Sequence, residues 1–470
     1  MNDMDAFIAI EQGPHGARAL AYDAGGRRLG EAFSSLGPRC NALGHVEYDA
    51  EDLLDAVRVV VDSLARQVAA DRWAACGLVT EGAAVACWDE TSDSTLAPVI
   101  AAGDRRAGSA PSPQLRAAMR RISGQPCSGN LGGSRMRWWL DHSAPVRTSA
   151  AAGHAVLGPL SSFLLHRLLD EHPRLTDGAS AACLDLCAPG KPGWCDELLA
   201  LFGLPQAFLP TIVPTATAYG HLNVGGRRVP MQASTVAGSA APFADGLPDP
   251  RHVFIQLDAV TTILQPSGMP VIAAPLATTL LGDFGGLSHY ALEGRMEGVG
   301  NAIDALAMQH GAEPDRLLLS LEGAPLPGVD APFHLGDLGS GLWQAELPER
   351  LEGQGGLREQ LAATLEAAAF VLRTHLDEMH QHLPAPVLIV AEGRLAANRW
   401  MCRLLATLAG VPVQRSSGND AAARGLAWIV AGQPAAWARA DVEMIAPEPR
   451  EATLARYLHW LSLMPPPRGD

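Results

Sequence analysis

Near its N-terminus the chain runs apolar through Phe7-Ile8-Ala9-Ile10, turns polar at Glu11-Gln12-Gly13-Pro14-His15-Gly16, and runs apolar again over residues 17–22 before Asp23-Ala24-Gly25-Gly26. Two short apolar runs around a Gly/Pro turn predict a β-hairpin, and Gly25-Gly26 predicts another turn. The pattern returns at residues 252–264, where His252-Val253-Phe254-Ile255-Gln256 and Thr261-Thr262-Ile263-Leu264 flank Leu257-Asp258-Ala259. Residues 74–80 and 85–88 predict two short buried strands around Glu81-Gly82-Ala83-Ala84. Residues 387–390 predict a strand ahead of the turn Ala391-Glu392-Gly393-Arg394. Elsewhere the spacing is helical. Leu53, Leu54, Val57, Val60, Val61, Leu64 and Val68 follow Asp49, an N-cap residue, with Glu51 and Asp52 at the positive end of the helix dipole. Leu357, Leu361, Leu365, Ala368, Leu372, Leu376 and Met379 predict a long helix, and residues 396–409 another.

Composition narrows the possibilities. At 470 residues the chain exceeds the roughly 250–300 that one core usually holds, so two domains of similar size are expected. A formal charge of −15 leaves no basic surplus to neutralise phosphates, which argues against nucleic acid or an anionic membrane as partner. The acidic start Met1-Asn2-Asp3-Met4-Asp5 is unlike a signal peptide, and no apolar run reaches about 18 residues. The chain therefore reads as cytoplasmic. Of eight cysteines, Cys183, Cys187 and Cys195 cluster in sequence, but without a Cys-x-x-Cys pair or a matching His pair. They read as reduced structural thiols.

Several stretches resemble the FGGY carbohydrate kinases. Glu11-Gln12-Gly13-Pro14 with Arg18 is similar to that family's opening Asp-Gln-Gly-Thr turn and its following Arg. Gly44-His45-Val46-Glu47-Tyr48-Asp49 resembles the lead into the first long helix, and Gly103-Asp104-Arg105-Arg106 resembles a Trp-Gln-Asp-Arg-Arg loop. Residues 124–141 align with a Lys-x-x-Trp-Leu segment, Arg135 replacing the Lys and Trp138 holding the Trp. The most specific run is Thr176-Asp177, Ala179-Ser180, Trp194-Cys195-Asp196, Phe202-Gly203-Leu204-Pro205, Leu209-Pro210, Pro214 and Gly220, in the family's order. Ala291-Leu292-Glu293-Gly294 is similar to the family's Leu-Glu-Gly at the start of a helix, and residues 419–427 resemble the start of its closing helix.

The resemblance implies an α/β fold of two actin-like ATPase (ribonuclease H-like) domains around a central cleft. Residues 1–245 and 253–470 would form the halves, with 246–252 as connector. The implied reaction is ATP-dependent phosphorylation of a sugar or polyol hydroxyl, with magnesium; a homodimer stays open. Glu11, Gly13, Arg18, Asp258, Gly393 and Asn398 would face the nucleotide, Glu11 also holding the metal. Glu81, Asp104, Arg105 and Asn130 would face the substrate. The turns at Glu11, Leu257 and Gly393 would line one cleft.

Several positions depart from the family. Pro14 brings neither hydroxyl nor N–H, and Gly82 and Ala83 bring no polar side chain to the sugar turn. Leu257-Asp258-Ala259 stands where Gly-Thr-Gly would let backbone approach phosphate, and Glu392 stands where a glycine would be. The catalytic base, an Asp in the family, falls on Ala237 in one register and Ser239 in another; Asp245 lies six residues beyond. A second reading is therefore a catalytically degenerate relative that binds a small molecule or protein partner in the same cleft.

Overall fold

The computed structural model describes residues 5–108, 111–124, 131–258, 260–328, 330–343, 349–416 and 418–465. The chain opens with β1 (Ala6–Gly13), β2 (Gly16–Asp23) and β3 (Arg28–Ser35). The first two form the expected hairpin, with Gly13 opposite Gly16 across a two-residue turn. Helix α1 (Ala50–Gln67) starts where the sequence places it, with the Asp49 carboxylate accepting from the Glu51 and Asp52 N–H groups. Next come β4 (Trp73–Thr80), α2 (Gly132–His142), α3 (Leu160–Leu168), β5 (Ala216–Val224) and β6 (Arg227–Val236). One six-stranded sheet runs β5-β6-β4-β1-β2-β3, with β4 parallel to both β1 and β6.

A second sheet starts at β7 (His252–Leu257) and β8 (Thr261–Ser267) and continues with β9 (Ala277–Phe284) and β10 (Leu287–Met296). Helix α4 (Leu357–Met379) precedes β11 (Leu388–Glu392), α5 (Arg399–Ala409), β12 (Val413–Ser416), α6 (Ala421–Val430) and β13 (Val442–Ile445). Its order is β9-β10-β8-β7-β11-β12-β13, with β7 parallel to β11. Each half thus opens with an antiparallel hairpin whose first strand takes a parallel neighbour on its other side. This is the actin-like arrangement of mixed α/β halves.

Two expectations change. Ala291-Leu292-Glu293-Gly294 does not open a helix: it lies inside β10, paired antiparallel with β8, and helix begins only at Val299. Gly294 is needed there because a side chain would collide with the ring of buried His375 on α4. The helix expected from Ala396 starts instead at Arg399, because the Asn398 side chain caps it and leaves a short 3-10 turn before it.

Helix α6 joins the halves. Ala423, Leu426, Ala427 and Val430 pack with Phe7, Ala9, Val79 and Ala233 from the first half and with Leu264, Leu281 and Phe284 from the second. Gly425 is the point of closest approach, since a side chain there would strike the Ala240 carbonyl.

Candidate functional site

At one end of the cleft, Glu11 and Arg18 are cross-strand partners in the first hairpin, with Oε2 and Nη1 3.8 Å apart. Arg18 is already engaged: Nη1 donates to the Asn419 carbonyl at 2.5 Å and Nη2 to Glu31 Oε1 at 3.0 Å. Glu11 is less satisfied. Its buried Oε2 has no hydrogen-bond partner, and burial holds its carboxyl above the usual range, opposed by Arg18. Gly13 closes the hairpin and contributes its carbonyl to the Gln12 amide. Asp420, just before α6, accepts from the Tyr22 hydroxyl at 3.2 Å and lies 3.6 Å from Arg28.

The second hairpin faces the same space. Asp258 Oδ1 accepts the Arg394 N–H at 2.7 Å, and Oδ2 accepts the Gln256 amide at 2.6 Å. Gly393 has φ 93°, and a side chain there would meet the Leu257 carbonyl at 2.7 Å and Asp258 Oδ1 at 2.8 Å. Glu392 stands next to this contact. Burial, followed by the charges of Asp420, Asp245, Glu11 and Asp258, pushes its carboxyl up to about 8. The three expected turns thus share one electrostatic environment, and five carboxylates gather in it. Sequence inspection marks Glu392 as a departure but cannot show that four acids from distant segments surround it.

The remaining nucleotide-side and base positions carry structural tasks. Asn398 Oδ1 accepts the Trp400 and Met401 N–H groups, while its amide donates to the Leu318 carbonyl at 2.7 Å. Ser239 is buried and donates to the Leu280 carbonyl at 3.0 Å. Asp245 accepts the Ala440 N–H at 3.4 Å and lies 3.9 Å from Arg424, with its side chain 34% exposed.

At the substrate end, burial pushes the Glu81 carboxyl up to about 7, with Tyr48 and Arg135 pulling the other way. Buried Arg135 donates to the carbonyls of Ala83 and Ala102, pinning both substrate-facing loops from α2. Asp104 is fully spent: it accepts the Val46 N–H at 2.6 Å and holds the Arg106 guanidinium, which continues to Glu47. Arg105 is exposed, and Asn130 lies outside the described residues. Cys183 fills the space beside Gly82, where a side chain would meet its Sγ at 3.3 Å. From the second half, Arg295 pairs with Glu293 at 2.9 Å and feels the charge of Asp185 across the cleft. No motif in the sequence singles out Arg295 or Asp185, because only the meeting of the halves brings them together.

A cavity of about 530 Å³ opens beside Asp185, between residues 178–193 and the β9–β10 hairpin. Asp283, Tyr290 and Lys191, the only lysine in the chain, line it. The volume is that of a small-molecule site. The donor set at the other end fits a cation through the unpartnered Glu11 oxygen. At the second hairpin the Arg394 N–H already holds a carboxylate, and Glu392 belongs to the same turn.

Comparison with known proteins agrees with this architecture. The family model for the FGGY family of carbohydrate kinases, N-terminal domain, matches residues 6–234, and the C-terminal domain model matches residues 261–432. A glycerol kinase from Allorhizobium ampelinum is 28% identical over 470 residues, covering 93% of this chain and 92% of its own. Glycerol kinase 1 of Pseudomonas aeruginosa is 26% identical over 459 residues, covering 94% and 92%. Among solved structures, Plasmodium falciparum glycerol kinase with ADP superposes with a TM-score of 0.85 at 15% identity, covering 98% of this chain and 97% of that one. Xylulose kinase from Rhodospirillum rubrum gives 0.81 at 20% identity, covering 97% and 98%. Among the described residues, no helix is long and apolar enough to cross a membrane.

Proposed function

The chain belongs to the FGGY family of carbohydrate kinases, and from that premise we propose a cytoplasmic sugar- or polyol-binding homologue in which phosphoryl transfer from ATP is strongly attenuated. Its halves are taken as residues 1–245 and 253–470, joined by 246–252. The observation that carries the reading is the Asp258 carboxylate seated on the Arg394 N–H. A resident anion there competes with any phosphate, and the Asp420 carboxylate nearby adds repulsion. The base supports the same reading. Ala237 cannot accept a proton, and the Ser239 hydroxyl, a very weak base, is committed to Leu280.

The substrate end retains the means to bind. Arg135 fixes both loops, and Glu81, Asp185 and Arg295 offer polar groups for hydroxyls. Glycerol and other small polyols are the first class to test, since the curated relatives are glycerol kinases. Calorimetry of the full chain with magnesium ATP should give a dissociation constant near millimolar, roughly −4 kcal/mol. A polyol and sugar panel should show little turnover. Micromolar nucleotide affinity together with robust phosphorylation of one panel member overturns the proposal.

A second reading, an active kinase with Asp245 as base, is favoured by the one-third exposure of that carboxylate. Under it, Asp245→Asn lowers turnover by about 10²-fold or more with little change in apparent substrate affinity. Under the first reading the same variant leaves any residual turnover unchanged, and restoring Asp at 237 or 239 alone does not rescue activity.

A further inference from the structure

Away from the cavity, the C-terminal end of α3 brings together Asp93, His166 and His172, whose ligand atoms all lie within 4.8 Å of one another. The two histidines latch each other. His166 Nδ1 lies 3.0 Å from the His172 carbonyl, and His172 Nδ1 lies 2.9 Å from the His166 carbonyl. A carbonyl oxygen only accepts, so both rings carry a proton on Nδ1, and in a neutral ring Nε2 is a lone pair. Yet His166 Nε2 lies 2.8 Å from Asp93 Oδ1. A lone pair facing a carboxylate at that distance needs a cation between them. A proton would join only those two atoms; a metal also reaches a ring nitrogen of His172, within 4.8 Å of the other ligand atoms.

We propose that Asp93, His166 and His172 form a divalent-metal site of the zinc type, with solvent completing the coordination. Imidazole and carboxylate are zinc's usual nitrogen and oxygen ligands, and three protein ligands with an open fourth position is a common arrangement. The reciprocal carbonyl bonds supply the outer support that metal-bound histidines usually have, fixing ring orientation and tautomer. His166 is buried against the Trp88 ring, Asp93 is half-exposed and His172 is exposed, so the site is anchored inside and open outside. The nearby cation, Arg167, donates to the Asp93 carbonyl at 3.1 Å, but Glu51 grips its guanidinium at 2.9 and 3.2 Å and offsets its charge. The site would tie the loop at Asp93 to the loop after α3. Its residues line neither the cavity nor the carboxylate end of the cleft.

The test is calorimetric titration of the metal-stripped full chain with zinc chloride near pH 7.5, with cobalt absorption to report tetrahedral coordination. The wild type should take up one equivalent and unfold at a higher temperature when loaded. Asp93 and His172 both sit at positive φ, 56° and 46°, which asparagine tolerates, so Asp93→Asn and His172→Asn should fold. Each should weaken zinc binding at least about tenfold. A wild type that binds no zinc, or variants that bind it as tightly, overturns the proposal.

Discussion

The two hairpins that open the two halves occupy matching places in their sheets, yet they treat their acidic residue in opposite ways. In the first, Glu11 sits at the end of β1 with a buried oxygen that no donor reaches. In the second, Asp258 uses both oxygens, on the Arg394 N–H and on the Gln256 amide. A buried carboxylate oxygen without a donor carries an unmet desolvation cost, whereas one that is fully bonded is part of the scaffold. The same fold position can therefore be kept ready or closed, and the choice is made by which donors the neighbouring segment supplies. Here the second hairpin's carboxylate is held by the Arg394 N–H and the Gln256 amide.

The comparison depends on α6 holding the hairpins face to face, and breaking that contact should have the largest effect. Gly425→Ala puts a methyl group onto the Ala240 carbonyl. Backbone cannot yield as a flexible side chain would, so a loss of about 3 kcal/mol or more is expected in urea unfolding. An unchanged midpoint would mean that the halves do not depend on this seam.

Glu392 gives a pH-dependent test of the crowding between the hairpins. Its carboxyl lies near 8 in the folded chain and starts from 4.5. The folded state thus holds a proton that the unfolded state releases between those values. This group's contribution is complete below about 4.5 and is lost as pH rises through 8. Glu392→Gln removes the dependence, so the variant should be more stable than the wild type above pH 8, by on the order of 2–4 kcal/mol, with no such advantage near pH 4.5. Parallel unfolding curves at all pH values would show that the carboxylates do not share one field.

The smallest effects should separate the two acids directly. Asp258→Ala strands the Arg394 N–H and should cost about 1–2 kcal/mol while tightening magnesium ATP binding roughly tenfold by calorimetry. Glu11→Gln removes a charge with no hydrogen bond to lose, so its stability should stay within about 0.5 kcal/mol of wild type. Equal responses from both variants would erase the distinction between the hairpins.

Much of this was legible in the sequence. Both hairpins, the capped helix after Asp49 and the long helix ending at Met379 follow from periodicity and local capping, which depend on near neighbours only. The family resemblance in the packed stretches carried the fold, because core-facing residues keep their spacing. Local resemblance failed at Ala291-Leu292-Glu293-Gly294, where pairing with β8 and the close approach of His375 impose a strand. The structure adds that Asp104 braces a loop and Asn398 caps a helix, tasks that no local resemblance shows.

What the chain determined by itself was its elements and its kinship, since these rest on spacings of a few residues. Only the tertiary structure decided the character of the cleft. Glu11, Asp245, Asp258, Glu392 and Asp420 span more than 400 residues of sequence, and Glu11 and Asp245 act on the other three only because the halves meet along α6. Charge interactions depend on distance in space, and no pattern of neighbours along the chain encodes it.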